Sequence, residues 1–264
     1  MILGLFMMMF CLLSACVIAV EDPHSQGQFW PKGTFHKSLD LEPAGAVSLE
    51  NGHGNIEIWG WKDERIDISA VGSRGAPKSA GIYFIGDRFS PPRVHVQNKD
   101  NLVIIRTDKE EYEDREDVVH YILQVPHSVN LDSVRNGRGN IAVSNIYGRA
   151  LLDADEGDIR VGNYSGSLDV RLGSGSVEAE VLDLRPRDSV HIKVERGDII
   201  LMLEPDVAAQ LNAETPAGNI LSELELGQPL PAQKVSGKLG DGQASIELTA
   251  LGGNILLRKV KTSS

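Results

Sequence analysis

Aromatic side chains make up only 5% of the 264 residues, and cysteine occurs just twice, at Cys11 and Cys16. A core short of rings must be built from aliphatic side chains, each contributing about 1.5 to 3 kcal/mol when fully buried. With both cysteines among the first 20 residues, the remainder offers no disulfide, no thiolate nucleophile and no cysteine metal ligand. Positive charge is scarce as well: 26 Lys and Arg stand against 37 Asp and Glu, for a formal net charge of -11. That balance repels phosphate backbones and excludes nucleic acid as a partner. It also repels anionic headgroups, which leaves membrane contact to the N-terminus or a lipid attached there. Beyond that terminus no helical period of useful length occurs. What the chain does have is 27 Gly and 12 Pro, the composition of a turn-rich β protein.

The stretch MILGLFMMMFCLLSACVIAV carries no charged side chain and ends at Glu21-Asp22-Pro23. It reads as an export leader, excluded from fold reasoning. Leu13-Ser14-Ala15-Cys16 has the form of a bacterial lipobox, with Cys16 as the lipid anchor; cleavage after Ala19 and an uncleaved membrane anchor are the alternatives. The expected organisation is a leader (1–19), a linker with the first strand (20–44), a β domain (45–260) with a weak subdivision near 130, and a short tail (261–264).

Residues 51–56 read NGHGNI and residues 136–141 read NGRGNI. The same pattern, Gly, a small polar residue, then a β-branched one, starts at Gly54, Gly139, Gly157, Gly175, Gly197, Gly218 and Gly253, with steps of 18, 18, 22, 21 and 35 residues from Gly139 onward. Two and four residues past each Gly the chain is aliphatic, Ser222 excepted, which is the period of a strand with one buried face. A second aliphatic pair lies seven and five residues before each Gly; only the Gly139 unit breaks register, with Asp132 then Val134, which predicts a bulge. Each unit is thus a coil of two short strands that cannot bury its inner face alone, and stacked coils make one continuous core. The glycines are expected to be corners adopting positive φ, and Trp61, Ile146, Tyr164 and Leu182, seven residues on, a second set of corner plugs. The predicted fold is an all-β, single-domain β-solenoid or β-roll of coils of 18 to 22 residues.

The leader, the NGxGNI corner, Gly60-Trp61 after the first strand and the stacked GNI or GDI coils together resemble the bacterial putative adhesin family over roughly residues 35–260. The resemblance implies a β-solenoid in the cell envelope and surface or periplasmic interaction. It brings no catalytic residues with it.

Tests for chemistry point the same way. Gly137-Arg138-Gly139-Asn140-Ile141-Ala142 matches GxGxxA, but a strand rather than a helix is expected after it, so no dinucleotide site is assigned. The seven histidines lack ligand spacing. Asp188, Ser189 and His191 sit too close along one strand to form a triad. The acidic run DKEEYEDRED, 108–117, reads as a solvated loop rather than a Ca²⁺ site. No cofactor, metal or catalytic residue is assigned. Outward positions say more: Asp153, Arg171, Lys193, Glu214 and Thr249 are expected to stack as a charged ladder, whereas Ile200, Met202, Leu221 and Leu256 form an apolar strip on the opposite strands. The insertion 227–243 is expected to fold over that strip; otherwise the strip meets a partner. The sequence therefore points to an exported, non-enzymatic envelope protein, adhesin-like or a scaffold, whose partner is an envelope protein, a glycan or another copy of itself. The alternative is a polysaccharide-binding or polysaccharide-active solenoid using Trp59 and Trp61.

Overall fold

The structure is a computed structural model in which residues 34–73, 92–107, 118–227 and 229–260 are described. Every element among them is a strand. In chain order they are β1 (Thr34–Asp40), β2 (Ala46–His53), β3 (Ile56–Trp61), β4 (Arg65–Ser73), β5 (Val94–Lys99), β6 (Leu102–Thr107), β7 (Val118–Pro126), β8 (Asn130–Arg138), β9 (Ile141–Ser144) and β10 (Ala150–Glu156). There follow β11 (Ile159–Ser165), β12 (Leu168–Ser174), β13 (Val177–Asp183), β14 (Ser189–Arg196), β15 (Ile199–Leu203), β16 (Ala209–Glu214), β17 (Ile220–Ser222), β18 (Lys234–Leu239), β19 (Ala244–Ala250) and β20 (Ile255–Lys259).

The strands make two 10-stranded sheets around one core. The front sheet runs β1-β4-β7-β3-β9-β11-β13-β15-β20-β17 and the back sheet β18-β16-β19-β14-β12-β10-β8-β2-β6-β5. Each coil gives one strand to the back sheet, turns at its glycine, and gives the next to the front sheet, so equivalent strands of successive coils pair in parallel. The stack is the predicted β-solenoid. Ile56, Ile141, Ile159, Val177, Ile199, Ile255 and Ile220 form one inward row, all with 0% exposure and all in a single cluster. The bulge expected near Asp132 is present: Ala150 pairs with Leu131 while Leu152 pairs with Val134, so Asp132 and Ser133 share one step of the neighbouring strand.

The corner glycines stack on one another. A Cβ on Gly139 would lie 2.3 Å from the Gly54 carbonyl oxygen, one on Gly157 2.3 Å from that of Gly139, one on Gly175 1.9 Å from that of Gly157, and one on Gly197 1.8 Å from that of Gly175. Positive φ, between 117° and 136°, occurs at Gly54, Gly139, Gly157, Gly175 and Gly197. Gly218 and Gly253 depart from the expectation. Their φ lies outside that region, and what requires glycine there is space alone, since added Cβ atoms would sit 1.9 Å from the Gly253 oxygen and 2.0 Å from the Gly197 oxygen.

The residue after the glycine ties each corner to the next. Asn55 Oδ1 accepts from the Asn140 amide at 3.1 Å, Asn140 Oδ1 from Asp158 at 2.9 Å and Asp158 Oδ1 from Ser176 at 2.9 Å. Further along, Asp198 Oδ1 accepts from the Asn254 amide at 2.7 Å and Asn254 Oδ1 from Asn219 at 3.0 Å. An oxygen two bonds from Cβ reaches an amide one strand away, which is why this column is mostly Asn and Asp.

Chain order and stacking order part at both ends. The β6/β7 coil lies outside β2/β3, and the last coil, β19/β20, slots between β14/β15 and β16/β17. The coils therefore stack in the order Gly197, Gly253, Gly218, not in the sequential order that the spacing suggested. The insertion explains the swap. After β17 the chain turns under the stack, β18 pairs antiparallel with β16, and the turn at Gly240–Gly242 delivers β19 to the other side of β16. Leu224, Leu226, Leu230, Ala232 and Leu239 pack against the core on the way. The insertion thus closes the end of the stack instead of covering the apolar strip, where Leu221 stays 48% exposed. Among the corner plugs, Ile146 and Tyr164 are fully buried and Trp61 half-buried, but Leu184 takes the buried place expected of Leu182.

These contacts separate two kinds of glycine. Gly175→Ala should lower the unfolding free energy by about 3 kcal/mol, and Gly218→Ala should be strongly destabilising despite its ordinary φ. Gly52→Ala, where a Cβ meets nothing within 4 Å, should stay within about 0.5 kcal/mol of the parent in urea denaturation.

Candidate functional site

With the corners and inner rows fixed by stacking, the side chains free to act are the outward ones. On the back sheet, the row four residues before each corner runs Arg106, Glu50, Arg135, Asp153, Arg171, Lys193, Thr249, Glu214, Lys234 across nine adjacent strands. The five residues expected to stack are all in it, with Thr249 before Glu214 because of the coil swap. The row begins with alternating sign. Beside it, over Gly52, Gly137 and Gly173, two shallow hollows of about 410 and 420 Å³ share Asp153 and Asp155 and form one groove along the stack axis. Among the described residues, no ion pair or hydrogen bond engages the side chains of Arg135, Asp153, Asp155, Lys193, Glu195 or Arg196. Arg171 turns to Asp169 of its own strand, at 3.6 Å. The groove escaped sequence reading because its other half, Glu50, Arg135 and the glycines before the corner, sits in coils whose register the bulge and the swap disguise.

The apolar strip is assembled as expected in composition, with a changed order. Ile200 on β15 pairs with Leu256 on β20, which pairs with Leu221 on β17, and Met202 lies beside Ile200 on the same face. Ile200, Met202 and Leu256 are half-buried by their neighbours.

Beneath the groove lies a buried polar cluster. Asn51 and Asn136, the first letters of the two sextets, are neighbours across β2 and β8. Asn51 Nδ2 donates to the Val119 carbonyl at 3.0 Å and to Asn136 Oδ1 at 3.2 Å, and Asn136 Nδ2 donates to the carbonyls of Gly54 and Gly139 at 2.8 and 3.0 Å. Thr107 Oγ1 donates to Asn51 Oδ1 at 3.0 Å and shares a 2.7 Å hydrogen bond with Tyr121 Oη. The repeated Asn is therefore a corner clamp: it satisfies carbonyls that the glycine turn leaves without strand partners. Burial pushes the Tyr121 phenol up to about 12, against the lowering effect of Thr107. Tyr164, whose hydroxyl donates to Gly148 and Ser167 carbonyls at 2.6 Å, is likewise raised by burial.

The remaining candidates have structural partners. His120 Nδ1 accepts from the Asn55 amide at 3.1 Å and so stands where a coil with a glycine corner has Asn. His127 Nδ1 donates to the Asn145 carbonyl at 2.8 Å and its ring stacks on Tyr147. Asp188 accepts from the Arg185 amide at 2.8 Å as a turn cap, while His191 faces Glu247. Trp61 donates to the Arg65 carbonyl at 2.9 Å under that residue's guanidinium, and Trp59 is 45% exposed. The stretch after Gly137-Arg138-Gly139 is the strand β9, as expected. No group of three His, Cys, Asp or Glu side chains able to hold a metal occurs among the described residues. Cys16, His24 and the acidic run 108–117 lie outside the described residues.

Because Tyr121 holds its proton to a higher pH when folded than the ordinary value of 10.0, its contribution is complete below pH 10 and is lost as pH rises through about 12. Thermal stability should therefore fall steeply above pH 10, and Tyr121→Phe should make that fall shallower, with Tyr164 responsible for what remains.

Comparison with known proteins places this geometry. The Toastrack DUF4097 family description matches residues 127–258. A comparison with curated proteins finds no match. Among solved structures, the chain is similar to a putative cell adhesion protein from Clostridium sporogenes at 14% identity and a TM-score of 0.49, covering 86% of this chain and 100% of that one. It is similar to a putative adhesin from Bacteroides fragilis at 10% identity and a TM-score of 0.34, with 87% and 98% covered. A putative adhesin from Parabacteroides merdae matches at 9% identity and a TM-score of 0.24, with 87% and 97% covered.

Proposed function

The chain belongs to the Toastrack DUF4097 family, and from that premise and its two outward faces we propose that it is an exported, non-enzymatic cell-envelope protein, adhesin-like or a scaffold. The observation that carries this reading is the distribution of side chains. Ionisable groups come one per coil along a wide solvated face, the layout of an extended contact surface rather than of a reaction centre. Chemistry on a glycosidic bond, by contrast, needs two carboxylates converging on one bond.

The N-terminal 19 residues supply export in this reading, and Cys16 supplies the lipid anchor. Mass spectrometry of the mature chain from a bacterial host should find a diacylglyceryl group on Cys16. A free Val20 would replace the anchor with a soluble exported form, and an intact Met1 in the cytosol would remove export altogether.

Ile200, Met202, Leu221 and Leu256 serve as the protein-contact strip. Any self-association has to use such a face rather than an end of the stack, since antiparallel strands close both ends: β1 and β5 on one side, β18 on the other. Edge strands β5 and β18 also carry Lys99, Lys234 and Lys238, which discourage further strand addition. Ile200→Lys with Leu221→Lys should abolish binding of a hydrophobic dye to the folded protein while leaving the urea midpoint nearly unchanged. A dye signal that survives both substitutions would move the contact surface elsewhere.

A further inference from the structure

The groove on the back sheet is a binding site for an extended acidic glycan, we propose, one with a single carboxylate per disaccharide. The inference rests on the reading of this chain as a binding protein and names the ligand class for one of its faces.

The shape comes first. The groove crosses β2, β8, β10, β12 and β14 at right angles to the strands, so it takes a linear chain lying along the stack. Gly52, Gly137 and Gly173 keep its floor bare; at Gly52 even a methyl group would enter open space. Every one of these strands is paired on both sides, so no backbone edge is available for an added peptide strand. The apolar side chains of the lining, Ala154 and Leu172, point into the core and are buried, so nothing there anchors an apolar side chain. A hydroxyl-rich polymer fits these surroundings, and a peptide does not.

Charge then narrows the class. Arg135 and Arg171 stand on β8 and β12, with Asp153 of β10 between them. Strands lie about 4.8 Å apart, so the two guanidinium groups recur about every 9.6 Å, comparable to the length of one disaccharide in an extended glycan. Each can bind a carboxylate through paired N–H donors. Glu50 and Asp153 alternate with them, and acids at that interval accept hydrogen bonds from the hydroxyls of the intervening sugar. The same acids repel a chain charged at every residue, which excludes heavily sulfated polymers. Unpaired charges of both signs standing open in the groove, although opposite charges occupy adjacent strands, are the observation that distinguishes this row from a self-satisfied surface ladder.

The test uses the purified full-length chain and isothermal titration with four octamers: hyaluronan, which alternates a uronate with an N-acetylated sugar; uncharged chitin; a fully sulfated heparin fragment; and poly-glutamate. Hyaluronan should bind at least tenfold more tightly than the other three, and weaken as salt rises. Arg135→Ala with Arg171→Ala should reduce its affinity by tenfold or more, whereas Arg160→Ala on the front sheet should leave it unchanged. Asp153→Asn should tighten it severalfold, a gain that damaged folding cannot produce. Equal binding by chitin, by heparin or by poly-glutamate would overturn the assignment, as would hyaluronan binding that ignores both arginines. Absence of all glycan binding, with the front strip still engaging protein, would remove the groove but leave the proposed function standing.

Discussion

The stack depends on the carbonyl oxygen at one corner occupying the place of a Cβ at the next. With strands about 4.8 Å apart, coils can superpose at a sharp turn only if the turn residue projects nothing along the stack axis. Glycine alone meets that condition, and once it does the following amide and side chain are brought to hydrogen-bonding distance of the next coil. Register is thereby set at the corner rather than by the aliphatic rows, which slide past one another more easily. The inward isoleucines then find their neighbours as a consequence.

Most of the fold was legible because both periodicities that specify it are short-range. Ile141 and Val143, or Leu168 and Val170, announce a half-buried strand by alternation, and the glycine recurs at coil length. The bulge at Asp132 could be read from a single misplaced polar residue. Order at the ends could not, because nothing in GGNI at 252–255 says which coil it will lie beside. That choice is made by the insertion, whose Leu224, Leu226 and Leu230 find a place only at an uncovered end. The role of Asn51 and Asn136 was equally hidden. Their identity is visible, but the carbonyls they satisfy belong to the neighbouring coil, 82 residues away for Asn136 and Gly54.

The end swaps solve a problem that every open stack has. A terminal coil covered on one side only frays, and a free strand edge invites further addition. Here the last strand of the chain, β20, lies between β15 and β17, so the C-terminus is held by parallel partners on both sides. Exposure to the end falls instead to β16 and β17, which the insertion covers. The coil β6/β7 plays the matching part at the other end, where β4 and β5 add antiparallel strands. Thr215, fully buried, donates to the Gly253 carbonyl at 2.6 Å and so closes the glycine column much as Asn136 does near its start.

Function is left to positions that the stack does not consume. Three residues in each coil, four before the glycine and three and five after it, face solvent and are not involved in closing the turn. On the back sheet these become charges in near alternation, which keeps the face wet and gives it a repeat along the axis. On the front sheet the same kind of position changes from Arg160 and Glu178 to Ile200, Leu256 and Leu221 as the stack proceeds. A change of character at constant backbone geometry cannot come from folding, because Arg160 and Ile200 occupy equivalent sites on equivalent strands. It comes from what each part of the surface meets.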